Sequence, residues 1–113
     1  LANAPSSFGL FGYSFLEQNG DRIQPALVDG VEPTYDNIAE GVYPISRSLY
    51  IYAKNQHQGV APGLVPFVTE LTSEEASGPF GYLAERGLIA LPEARRARVR
   101  DAARSLEPMG APD

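Results

Sequence analysis

"SLYIYAK", residues 48–54, alternates large apolar side chains across both faces of an extended chain, with Leu49 and Ile51 on one side and Tyr50 and Tyr52 on the other. Aromatic and β-branched residues suit the pleated, half-covered surface of a sheet, and a segment apolar on both faces calls for cover on both. The reading is a central strand with helices above and below it. The fold class then depends on what surrounds this strand.

Working outward, "FGYSF" (11–15) sets Phe11, Tyr13 and Phe15 on one face and Gly12 and Ser14 on the other, a pattern for a second strand that a neighbouring backbone can approach closely. "IQPALVDG" (23–30) is a short apolar segment ended by the Asp29-Gly30 turn signal. In "PTYDNIAEG" (33–41), Thr34 is a helix N-cap and Gly41 a stop, which leaves room for a short helix. Downstream, a helix is predicted from Gly63, with Pro66 in its first turn and Leu64, Phe67, Val68 and Leu71 as its apolar stripe. Thr72 and Glu75 match a capping box for another helix, which Gly78-Pro79 breaks. Pro79 restarts it, with Phe80, Leu83 and Ala84 on one face and Gly87 as its end. Pro92 opens a final helix with Val99, Ala102, Ala103 and Leu106 as its stripe, ended by Pro108 and followed by a frayed tail, "MGAPD". Strands alternating with helices predict the α/β class.

Composition sets the outer limits. The chain has 113 residues, 43% hydrophobic and 20% charged, the profile of one globular domain. It contains no cysteine, which excludes disulfides, thiolate metal sites and cysteine nucleophiles together. No apolar run reaches the length of a membrane span. The first residue is leucine, no signal peptide precedes it, and the chain reads as a piece of something longer. Charge is unevenly spread. Between Pro92 and Glu107 five arginines face three acids, a surplus of +2, so the rest of a chain whose total is −5 carries −7. An acidic body does not recruit nucleic acid, so any such role would rest on that segment alone.

Three blocks in order, "FGLFGYSFLEQN", "LVDGVEPTYDNIAEGVYPISRSLYIYAKNQ" and "PGLVPFVTEL", resemble the C-terminal part of the substrate-binding proteins of phosphate-specific ABC transporters. The match runs through about the first 75 residues and again loosely over "ERGLIALPE". The middle block is the specific one: an Asp-Gly-Val-x-Pro-Thr turn, a short helix ending in Gly, then Tyr-Pro-Ile-Ser-Arg leading into Leu-Tyr-Ile-Tyr. The resemblance implies a two-lobed periplasmic binding protein of the type II-like kind, each lobe an α/β sandwich, of which this chain is an incomplete C-terminal portion. It implies residues 1–15 as the strand crossing beside the hinge, 16–91 as α/β elements of a lobe, 92–107 as a terminal helix and 108–113 as a tail. It also implies extracytoplasmic (periplasmic or cell-surface) placement, inorganic phosphate as ligand only within the complete protein, a membrane permease and the remainder of the binding protein as partners, and no catalysis, cofactor or metal. The family's phosphate contacts lie upstream of the matched part, including an Arg with a Ser-Gly-Thr segment, and no Ser-Gly-Thr occurs here. No ligand residue is therefore carried over.

From the residues themselves, the anion candidates are few. Ser46 and Arg47 are the better pair, since a guanidinium just before a strand can fork two hydrogen bonds onto phosphate or carboxylate, although pairing with an internal carboxylate competes. Thr34 and Thr72 begin helices but are followed by Asp36 and by Glu74-Glu75, which repel anions, so both read as plain caps. His57, the only histidine, stands in the polar loop "KNQHQG" and reads as solvated. Asp29 and Glu32 flank a turn and a proline, and turn chemistry accounts for them. No Gly-x-Ser-x-Gly elbow or phosphate-cradling loop with Lys is present. The rival to the binding-protein reading is an independent α/β interaction domain that contacts an anionic partner through Arg95, Arg96, Arg98, Arg100 and Arg104; interleaved Glu93, Asp101 and Glu107 argue instead for an ion-paired, solvated face. Isolated, the piece is expected to self-associate through unpaired strand edges.

Overall fold

Local chemistry sets where the backbone turns. Asp29 and Gly30 both take positive φ, 51° and 77°, as a tight two-residue turn requires, and this brings Val28 and Val31 into an isolated antiparallel bridge. Thr34 then accepts a hydrogen bond on its hydroxyl from the Asn37 amide at 3.2 Å and opens helix α2, Tyr35–Ala39. Asn37 in turn donates from its side chain to the Glu32 carbonyl at 2.9 Å, so turn and helix form one unit. These elements match the sequence expectation.

The computed structural model describes residue 1 and residues 3–110; of the tail expected over 108–113, residues 111–113 lie outside the described residues. Besides α2, its helices are α1 (Tyr13–Gln18), α3 (Leu64–Leu71), α4 (Glu74–Ser77) and α5 (Glu93–Ser105), with 3₁₀ turns at Asn55–His57 and Ala84–Arg86. Helix α3 packs against both α4 and α5. Its start at Gly63, with φ of 79°, and its first-turn proline agree with the sequence. Beyond it, Tyr82 and Leu83 donate their amides to the carbonyls of Glu75 and Ala76, which folds the chain back over α4 and buries Ala76 completely. Val68 and Ala90 are the other buried hydrophobic residues described.

The α/β sandwich is not what the chain forms. Among the described residues the Val28–Val31 bridge is the only β pairing, and the rest is helix and coil. Residues 48–54 form no strand: the segment has no regular secondary structure, and from Arg47 to Ala53 no backbone N–H or C=O has a backbone partner among the described residues. Alternation specifies which side chains share a face; it does not supply the neighbouring edge that a strand needs. "FGYSF" is corrected outright. It enters α1 instead of forming a hinge-side strand: Gly12 is the N-cap, and Phe11, just before the cap, stacks on Phe15 in the first turn with ring centroids 4.7 Å apart.

Smaller expectations shift as well. The cap of α4 is Ser73, whose hydroxyl accepts from the Ala76 amide at 3.3 Å, while Thr72 turns back to the Val68 carbonyl at 2.9 Å. The helix predicted from Pro79 shrinks to the 3₁₀ turn, and Phe80, expected on its packed face, is fully exposed. The stripe of α5 is only half covered, with Val99 43% exposed, and Leu106 ends the helix in the left-handed region before Pro108 is reached.

Gly87 closes the 3₁₀ turn at φ 97°, and a Cβ there would sit 2.4 Å from the Cβ of Ser14 on α1. Gly87→Ala is therefore expected to combine the cost of a left-handed alanine with a steric conflict, about 2–4 kcal/mol in all. A denaturant midpoint unchanged from the parent chain would show that α1 does not pack there.

Candidate functional site

Arg47 follows the turn formed by Tyr43–Ser46 and begins the segment that has no backbone pairing among the described residues. Ser46 is half-buried and holds that turn, donating its hydroxyl to the Tyr43 carbonyl at 2.7 Å. Together with Ser48, Leu49, Tyr50, Tyr52 and Arg95 of α5, these two residues line an open cleft of about 450 Å³. The Tyr50 and Tyr52 rings stand 6.3 Å apart at a tilt of 30° on its wall. Neither Arg47 nor Arg95 is in an ion pair among the described residues. Sequence reasoning placed Arg95 with the other arginines on a solvated face; nothing local in the sequence brings the first turn of α5 to residue 47.

The other arginines are divided in their duties. Arg96 forks onto Glu74, with Nε donating to Oε2 at 3.2 Å and Nη2 to Oε1 at 3.0 Å, and it also donates to the Leu91 carbonyl at 2.6 Å and to Glu93. Arg100 reaches the same two acids, at 2.8 Å from Glu74 and 3.3 Å from Glu93. Two arginines of α5 are thus clasped to α4 through one carboxylate. Glu93 takes part as the sequence predicts, while Asp101 and Glu107 form no ion pair among the described residues and Glu74 enters from outside the segment. The Arg96 hydrogen bond holds the Glu74 carboxyl below its usual range, with the charges of Arg96 and Arg100 adding to it. Since the folded-state pKa lies below the unfolded one, the clasp is complete above the ordinary carboxylate range and is lost as pH falls through the lowered value. Glu74→Gln is expected to remove this acid dependence and to speed amide exchange in α5 several-fold at neutral pH. An α5 exchange rate equal in both forms at pH 7 would deny the clasp any role.

The lesser candidates sit where turn and cap chemistry put them. Thr34 and Thr72 are spent on backbone hydrogen bonds, His57 ends an exposed 3₁₀ turn, Asp29 is a turn residue, and the Glu32 carbonyl serves Asn37. No group of acids and histidine with metal-holding geometry occurs among the described residues. The arrangement offers two guanidinium groups beside the hydroxyls of Ser46, Ser48, Tyr50 and Tyr52 in an open cleft, an electropositive spot on an acidic chain.

Residues 2–75 match the family model of the PBP superfamily domain. The chain belongs to the PBP superfamily. Its curated relatives include phosphate-binding protein PstS of Staphylococcus saprophyticus, 31% identical over 90 residues that cover 75% of this chain and 27% of the relative. The protein of the same name from Staphylococcus epidermidis is 36% identical over 84 residues, 67% of this chain and 26% of its own length. That of Bacillus subtilis is 32% identical over 75 residues, 66% of this chain and 23% of its own. The chain thus spans about a quarter of the length of the curated relatives it matches. No solved structure matches it. Among the described residues no helix is long and apolar enough to cross a membrane.

Proposed function

We propose that this chain is a segment of an extracytoplasmic phosphate-binding component of an ABC transporter, periplasmic or cell-surface, which binds its ligand without catalysis and delivers it to a membrane permease. The observation that carries the reading is the ordered match of residues 2–75 to the PBP superfamily, with relatives named for phosphate binding over two thirds or more of this chain in two species. In this role the segment contributes scaffold, with residues 1–15 beside the hinge between lobes, 16–91 within a lobe and 92–107 as its terminal helix. Ser46 and Arg47 are at most an auxiliary anion contact. They stand in an open cleft where water competes for every donor, whereas a stripped phosphate needs several converging ones. The reading is tested on the longer protein that carries this chain, which should bind one inorganic phosphate per molecule by calorimetry. A folded, intact protein indifferent to phosphate would overturn it.

The interaction-domain alternative loses its main support in α5. Arg96 and Arg100 are engaged by Glu74 and Glu93, and a partner's phosphates would have to displace that clasp before reaching them.

A further inference from the structure

Of the four asparagines in the chain, Asn19 alone is followed by glycine. It closes α1, with φ of −124° and ψ of 23°, and caps the helix twice: Nδ2 donates to the Phe15 carbonyl at 2.9 Å and the backbone amide to the Leu16 carbonyl at 3.2 Å. Its own carbonyl accepts the Arg22 and Ile23 amides at 2.9 and 3.1 Å. The Gly20 amide, set among these anchored groups, has no backbone acceptor among the described residues. A carboxamide carbon and a free amide nitrogen thus stand on adjacent residues, and the second lacks the side chain that would shield it. All of these contacts fall within residues 15–23, so none depends on what covers the rest of the molecule.

We propose that Asn19-Gly20 is a site of spontaneous modification, at which Asn19 becomes aspartate or isoaspartate and the end of α1 is released. The Gly20 nitrogen forms a bond to Cγ of Asn19 as the Cγ–Nδ2 bond breaks, and Nδ2 takes the amide proton and leaves as ammonia. Water then opens the five-membered succinimide at either carbonyl, adding its hydroxyl there and returning a proton to the ring nitrogen. Attack requires Asn19 to rotate away from its ψ of 23°, which a residue at the end of a six-residue helix does by fraying. Asn37 and Asn55 also hold carbonyls with their side chains, those of Glu32 and Leu106, but the first lies inside α2 before the stiff, β-branched Ile38 and the second in a 3₁₀ turn before Gln56. The products undo the cap. A carboxylate accepts and does not donate, so the bond to the Phe15 carbonyl is lost. The new negative charge also stands at the negative end of the helix, beside Glu17 and Asp21. This site goes beyond the phosphate reading and does not depend on it.

The test uses the longer protein that carries this chain, held at mildly alkaline pH and then digested with trypsin. The peptide ending at Arg22 should gain the mass of one deamidation at Asn19, several-fold faster than the peptides that carry Asn37 and Asn55, and isoaspartate should accompany aspartate. Gly20→Ala should slow the conversion about tenfold by shielding the nitrogen. A Cβ there meets only the Leu16 carbonyl oxygen, at 3.7 Å, and φ is not left-handed, so this variant keeps the fold. Asn19→Asp, which carries the product's carboxylate, should speed amide exchange over residues 16–19 several-fold. Conversion of Asn19 no faster than that of Asn37, a Gly20→Ala rate equal to the parent's, or aspartate without isoaspartate would overturn the site. Unchanged exchange in Asn19→Asp would overturn the release of α1.

Discussion

Titrated with inorganic phosphate, the isolated chain is expected to show no binding in the micromolar range, while the longer protein that carries it binds. The difference rests on donor number and access. Of the eight arginines, Arg96 and Arg100 are held by carboxylates, and the cleft that brings Arg47 and Arg95 together is open to solvent. A guanidinium in water gains little from an anion that is equally well hydrated, and tight capture of phosphate requires a dry, closed ring of donors. Arg47→Ala and Arg95→Ala should accordingly leave the isolated chain's flat titration unchanged. A micromolar dissociation constant abolished by Arg47→Ala would reverse this view and make the cleft a phosphate site in its own right.

What could be read from the sequence was whatever short-range chemistry decides. The Asp29-Gly30 turn, the Thr34 cap, the helix start at Gly63 and the break at Gly78-Pro79 all act through neighbours within a few residues, and each stands where the sequence puts it. The sheet could not be read in the same way. Residues 48–54 carry a strand's pattern, but a strand needs pairing with another segment, and the chain's own pattern cannot supply it. Phe11 to Phe15 fit two periods at once, alternation and i, i+4, and the aromatic stack on a glycine-capped turn resolved the ambiguity toward helix. The candidate site was half legible. Ser46 and Arg47 were marked by their types and position, whereas Arg95 joins them only through the path of the chain between, which carries no local signal.

For the isolated chain, the midpoint of thermal unfolding should rise with protein concentration, by about 3 °C for each tenfold increase. The described buried hydrophobic residues are only Val68, Ala76 and Ala90, two of them alanines, and the radius of gyration is 17.1 Å against about 13 Å for a compact chain of this length. So small a core cannot offset the conformational entropy of ordering the chain, so the apolar segments must find cover outside it. When folding and pairing are one step, a tenfold change in concentration adds about 1.4 kcal/mol per dimer, and two chains unfolding together carry an entropy of about 2.1 cal/mol/K per residue. The quotient of the two is the predicted shift. Ile51→Pro, which removes an amide from the middle of the segment that has no backbone pairing, should abolish the isolated chain's concentration dependence and increase binding of a hydrophobic dye several-fold. A sharp melting transition at one temperature across a hundredfold range of concentration, with no dye bound by the parent chain, would mean that these three side chains and the α4–α5 clasp hold the monomer by themselves.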